Sequence, residues 1–327
     1  MEQELIWGLP VVGYLFLAGM GAGALITSAS MLLRSHGRSA FYRLARYGAI
    51  ISLPLVGIGV FLLVFELGSF QAGHWFRWIN LYKTINLSPM SIGSWLLLLY
   101  FFATAPYALT FILPGNGLND KWKIWRDRLA YVSIALGISV AVYTGVLLGA
   151  MPARPLWNSP ILAMLFLVSS ISTGIAVVLF TDWLVKLLNW DWPARYFNWQ
   201  NDKNEGYSDA TYILAVTDTL LIGLELMVVF LFFMYAHLTV GHVEEAIKVF
   251  QLGGELAGPF WIGVVVIGLL IPGLIELIKV FPALIGNGQY VHGGITMLLV
   301  PILVITGGFL LRYVIVVGGQ IARLAGI

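Results

Sequence analysis

The chain has 327 residues, 59% of them hydrophobic and only 10% charged, with a formal net charge of +2. So few charges cannot cover a water-soluble exterior, and so small a net charge leaves no electrostatic footprint for nucleic acid. Cysteine is absent, which excludes disulfides, removes the main soft metal ligand and leaves no thiolate to hold an iron–sulfur cluster in this chain.

Crossing the roughly 30 Å hydrocarbon core takes about 20 apolar residues at about 1.5 Å of helical rise each. Eight runs reach that length and read as about 6–33, 45–68, 90–113, 129–151, 159–181, 212–237, 260–280 and 291–317, with ends good to a few residues. Lipid cannot satisfy an open strand edge, and the runs are too long and uniformly apolar for barrel strands, so helix is expected throughout. The expected fold is all-α: a polytopic integral membrane protein with eight transmembrane helices, one membrane domain over 1–327 arranged as two four-helix bundles. The first run outlasts the apolar core of a signal peptide and lacks a clear cleavage site, so no cleavable signal is expected.

In chain order, the first span carries Gly19, Gly21 and Gly23, a small-residue pattern that points to close helix packing. Pro54, Pro106, Pro272 and Pro301 lie inside later spans and should disturb them, because proline lacks the N–H that the ladder needs. The loop 69–89 is aromatic and holds His74; it reads as an interfacial segment or as a cap over a ligand site. The longest connection, 182–211, is rich in tryptophan and reads as an interfacial helix. Eleven Lys and Arg, from Arg34 to Lys203, fall in the loops after spans one, three and five, against five on the other side. That bias places the odd-numbered loops in the cytoplasm and both termini outside.

Four acids fall in or at the edges of spans: Glu66, Asp218, Glu225 and Glu276. A charge at the helix centre costs about 2.5–3.5 kcal/mol even on the lenient insertion scale, so such residues face protein or water. Asp218 and Glu225 are seven apart and share one helix face, about 10 Å from each other. Arg312 in the last span is a candidate counter-ion. The set reads either as a buried ion pair that fixes helix register or as a proton path. None of the five histidines lies at mid-span, which argues against a bis-histidine haem. Tyr143, roughly 12 Å inside the outer end of span four, could hydrogen-bond a quinone oxygen or a neighbouring backbone carbonyl.

Several segments together resemble the NrfD family, in the form typified by the membrane subunit of polysulfide reductase. They are Tyr14 to Gly23 in span one, Glu66-Leu67-Gly68, and Ser88-Pro89-Met90-Ser91 with Gly93 and Trp95. Tyr143 to Leu148, Ala153 to Asn158, Ser172-Thr173-Gly174, Asp218 with Glu225, Leu311-Arg312-Tyr313 and Gly318-Gly319-Gln320 complete the set. The likeness covers nearly the whole chain and is most specific from span four to span five. One departure is Glu66, where the family usually has aspartate.

The resemblance implies a haem-free, quinone-reactive subunit in a bacterial or archaeal cytoplasmic membrane. Menaquinone or ubiquinone would be its bound substrate, held by Tyr14, Tyr143, Pro89, Trp157 and Asn158. Tyr143, Glu66 and His74 would serve the chemistry, and Asp218, Glu225 and Arg312 a proton path. Its partners would be a four-cluster iron–sulfur subunit on the outer face, a molybdopterin catalytic subunit and membrane lipid. A secondary transporter or proton-conducting subunit is the competing class; it predicts an internal inverted repeat, and the two halves show no convincing self-similarity. A passive anchor would need only one or two helices and no buried acids.

Overall fold

The apolar runs fold as helices because a lipid-embedded backbone must satisfy every N–H and C=O within its own segment. A computed structural model describes residues 7–35, 39–66, 79, 83, 88–112, 120–188, 207–239, 242–286 and 295–322. His74, nearly all of loop 69–89 and most of connection 182–211 lie outside them. Among the described residues the long helices are α1 (Leu9–Arg34), α2 (Ser39–Glu66), α3 (Pro89–Ile112) and α4 (Asp120–Gly149), followed by α5 (Ile161–Leu187), α6 (Tyr207–Leu238), α7 (Pro259–Leu284) and α8 (Thr296–Ile321). Each is long and apolar enough to cross a bilayer, and the chain is a multi-pass integral membrane protein. A short helix, His242–Ile247, and a 3₁₀ turn, Lys248–Phe250, stand between α6 and α7.

The expected spans hold in their middles and shift at charged or polar ends. α4 begins at Asp120, well before the expected start near 129, and α2 at Ser39 rather than near 45. Apolarity stops at the first Lys and Arg, but helix does not: both are good helix formers, and their long stems let the charge reach the interface. α8 runs on to Ile321 because Gly318 and Gly319 are packed, against Phe250 and Trp157 respectively.

α1 to α4 form one ring of neighbouring helices and α5 to α8 a second, the two expected four-helix bundles. α1 and α5 touch across the seam and each also contacts further helices of the other bundle. Their most apolar stretches are 78% and 72% buried, against 61% for α8 and 28% for α2, so these two form the spine. The spine is close because of glycine. A Cβ on Gly23 would lie 1.7 Å from the Ser170 carbonyl oxygen, and one on Gly174 would lie 2.1 Å from the Gly23 backbone. The backbones therefore meet directly, as small-residue crossings allow. Gly23→Leu should lower the unfolding midpoint in detergent and the yield of folded protein, since overpacking costs about 1–3 kcal/mol or more; an unchanged midpoint would show that the crossing tolerates separation.

Of the four intraspan prolines, Pro272 has a visible consequence. Pro259–Leu270 is a π-helix, and the Ile271 N–H reaches back to the Val266 carbonyl. The widened register carries α7 into the residue that cannot donate. At the end of the bundle that holds the excess Lys and Arg, here the basic end, Asp182 ties three helices together. Its carboxylate meets Arg43 Nε of α2 at 3.3 Å and, on its own helix, Lys186 Nζ at 2.8 Å, and it accepts the Tyr207 hydroxyl of α6 at 2.8 Å.

Candidate functional site

At the end opposite the basic one, four helix termini converge. Ser88 Oγ accepts the Ser91 N–H at 3.3 Å, and Pro89 fills the first turn of α3, a start signal that needs no donor from the proline. One turn on is Gly93. A Cβ there would lie 1.9 Å from the Tyr143 hydroxyl oxygen and 1.7 Å from its ring carbon Cζ. The phenol tip of α4 thus passes over a bare backbone. The side chain of Tyr14 on α1 lies near the Tyr143 hydroxyl. Tyr14 is fully buried and Tyr143 is 7% exposed. They sit about 7 Å and 9 Å from the ends of their helices, in the third of the bundle nearest this end. Glu66, the last residue of α2, accepts the Gly8 N–H through Oε1 at 3.1 Å. A carboxylate there complements the positive end of α1.

Beside this site lies a clasp that joins the two bundles. The Trp157 indole N–H donates to the Ile315 carbonyl at 2.7 Å, and its ring stacks on Trp7 at 5.1 Å. Gln320 closes the clasp from α8: its Oε1 accepts the Trp7 N–H at 2.9 Å and its Nε2 donates to the Trp7 carbonyl at 3.0 Å. Arg154 donates to the Gln320 carbonyl at 3.1 Å. A Cβ on Gly319 would overlap the Trp157 indole, so the Gly-Gly-Gln end of α8 is shaped to receive that ring.

A polar ladder runs through the second bundle. Arg312 is fully buried; it donates to Ser169 Oγ at 2.8 Å, Ser170 Oγ at 3.0 Å and the Gly308 carbonyl at 2.9 Å. The Phe16 and Phe166 rings flank its guanidinium at 5.8 and 5.1 Å. Glu225, 3% exposed, also bonds Ser169 and feels the Arg312 charge, so one serine bridges base and acid. Asp218, 1% exposed, accepts the Ser172 hydroxyl at 2.7 Å. Farther toward the basic end, Glu276 accepts Thr219 Oγ1 at 3.3 Å and lies close enough to Asp218 for their charges to interact.

Tyr14, Tyr143, Pro89 and Glu66 thus share one end of the first bundle, with Tyr14 against Tyr143. The indole proton of Trp157 is committed to α8. Asn158 is exposed, and its backbone N–H is held by the Arg154 carbonyl at 3.0 Å. His74 lies outside the described residues. Asp218 and Glu225 are both buried, and Glu225 lies between the charges of Asp218 and Arg312. The serines that connect them were absent from the expected site, although a Ser-Ser-x-Ser-Thr run in an apolar helix signals a polar face toward protein. Nothing in the spacing of Trp7, Trp157 and Gln320 betrays the clasp, because those residues are far apart in the chain.

Known proteins resemble this chain along most of its length. The family profile described as "Polysulphide reductase, NrfD" matches residues 1–324. The C subunit of polysulfide reductase from Wolinella succinogenes is 30% identical over 334 residues, covering 97% of this chain and 95% of that one. Protein NrfD of Escherichia coli K12 is 27% identical over 292 residues, covering 84% and 85%. A protein NrfD homolog of Haemophilus influenzae is 27% identical over 338 residues, covering 97% and 95%. With eight helices among the described residues long enough to span a bilayer and a family match over residues 1–324, the chain belongs to the NrfD family.

Proposed function

We propose that the chain is the quinone-reactive membrane subunit of a respiratory oxidoreductase complex, exchanging electrons between the quinone pool and a partner iron–sulfur subunit without haem. The observation that carries this reading is the Tyr14–Tyr143 pair set against Gly93 in the outer third of the bundle. Two neutral hydroxyls can donate to a quinone carbonyl or accept from a quinol, and the missing Cβ of Gly93 lets the Tyr143 tip reach across to α3. The Wolinella relative is named as one subunit of polysulfide reductase; in the same way this protein would be one subunit of a larger enzyme.

Oxidation of a quinol, whether menaquinol or ubiquinol, supplies two electrons and two protons. Tyr143 holds one ring oxygen, with Tyr14 fixing the Tyr143 hydroxyl. Glu66 keeps the mouth of α1 in place and, with His74, takes protons to the near surface. Asp218, Glu225 and Arg312 form the route for protons toward the basic end. With no cysteine in the chain, the electrons pass to a four-cluster iron–sulfur subunit on the outer face and on to a molybdopterin subunit. The excess of Lys and Arg at the other end puts that end in the cytoplasm and both termini outside.

The test is photoaffinity labelling of the purified full-length chain with an azido-quinone. Label should fall on the segments around Tyr14, Gly93 and Tyr143 and be competed by excess quinol. Label spread over lipid-facing surfaces, indifferent to quinol, counts against the site. Gly93→Ala tests the geometry. The added methyl displaces the Tyr143 tip, so quinol-coupled turnover should drop at least tenfold while the complex still assembles by gel filtration.

A further inference from the structure

The clasp between the bundles reaches Glu66 through a single peptide group. Trp7 and Gly8 are joined by a trans peptide, whose C=O and N–H point to opposite edges of one plane. On one edge the Trp7 carbonyl accepts Gln320 Nε2 of α8 at 3.0 Å. On the other the Gly8 N–H donates to Glu66 Oε1 of α2 at 3.1 Å. Gln320 is 6% exposed, and its whole carboxamide is committed: Oε1 accepts the Trp7 N–H at 2.9 Å, and Nε2 also donates to the Val316 carbonyl at 3.2 Å. Arg154 fixes the Gln320 carbonyl, and the Trp157 ring stacks on Trp7. Glu66 is the last residue of α2, and among the described residues its carboxyl makes no hydrogen bond but the one from Gly8. The direction of that carboxyl therefore follows the tilt of the Trp7–Gly8 plane, and Gln320 holds the tilt.

We propose that Gln320 is a positioning residue for the quinone site: through the Trp7–Gly8 peptide it aims the Glu66 carboxyl at the mouth of the first bundle. The inference rests on the quinone reading and gives the second bundle a part in that site. Gln320 adds no reactant to the quinol oxidation; it fixes where a group that takes one of the two protons stands. Two effects carry its influence. A planar peptide gripped on both edges cannot turn without breaking one of the two bonds. Hydrogen bonds in a chain also polarise one another, so a peptide that accepts at its oxygen donates better at its nitrogen. Loss of Gln320 thus frees the plane and weakens the bond that Glu66 receives. A clasp that merely stabilised the fold would be indifferent to the residue at 66.

The test uses the assembled complex, with quinol-driven turnover as the readout. Gln320→Met keeps most of the side-chain volume and removes its hydrogen bonds, so α8 still packs and the subunits co-purify. Its kcat should fall about tenfold, with KM for quinol within about twofold of wild type. A displaced proton acceptor slows the chemical step, while Tyr143 still holds the ring. An unchanged kcat, or a loss confined to KM, overturns the proposal. In a Glu66→Gln background, Gln320→Met should cost nothing further, because no carboxylate is left to aim. Losses that multiply overturn the proposal, since independent sites add in free energy. Gly8→Pro covers a Gln320→Met complex that does not assemble. It deletes the N–H that Glu66 accepts and leaves Gln320 and both indoles in place, at a φ of −85° that is close to proline's own. It should lower kcat to the same degree, and full turnover in Gly8→Pro overturns the proposal. Failure of the underlying reading is a different result, visible with Gln320 intact: a wild-type complex without quinol-driven turnover, or full turnover in Glu66→Gln. Either one removes the proposal as well.

Discussion

Tyr143→Phe should lower quinol-coupled turnover of the assembled complex by about 10²-fold, with the subunits still co-purifying. Removing a positioned proton donor or acceptor typically costs 10²–10⁴-fold. The lower end applies because Tyr14 remains beside the vacated hydroxyl and can reach a bound ring oxygen. The phenyl ring itself keeps its packing, since the tyrosine is only 7% exposed and its neighbours contact the ring as well as the hydroxyl. Tyr14→Phe should have a smaller effect, and the double variant should exceed either. A double variant no worse than Tyr143→Phe alone would mean that Tyr14 only orients its partner. Full turnover in Tyr143→Phe would remove this pair from the site.

Arg312→Leu should be among the most destabilising single changes in the chain, by about 3–5 kcal/mol, the cost of leaving a buried charge without its partner. Arg312 is fully buried and holds hydroxyls of two serines on α5. Its loss strands Glu225, which shares Ser169 and the Arg312 field. The measurement is the unfolding midpoint in detergent micelles. The double variant Arg312→Leu with Glu225→Gln should recover much of the loss, since neither charge then remains in low dielectric. If the single variant unfolds like wild type, the guanidinium is reached by water and the ladder is a hydrated channel along its length. If the double variant recovers nothing, the serine bonds carry the stability rather than the charges.

What was legible in the chain differs by distance. The eight helices were legible because lipid leaves a backbone no other solution, so a run of apolar residues is enough. Their bounds were close at the starts of α3 and α7, where Pro89 and Pro259 open the helix. They were short at α2 and α4, where helix continues through snorkelling Lys and Arg. Asp218, Glu225 and Arg312 announced themselves by cost alone: charge in an apolar run must find company. Tyr143 stood out by its depth in span four and Tyr14 through the resemblance, each as a separate candidate.

The sequence by itself determined that this is a multi-pass membrane protein without cysteine, with eight runs long enough to span and a small stock of polar groups within them. Those facts follow from local composition, which the bilayer reads residue by residue. The tertiary structure alone decided which of those groups meet. It set Tyr14 near Tyr143, packed the Tyr143 tip on Gly93, committed the Trp157 proton to α8 and bridged Glu225 to Arg312 through Ser169. Such contacts join helices far apart in the chain, and their partners are chosen by how closely glycine-lined backbones approach, which no single segment records.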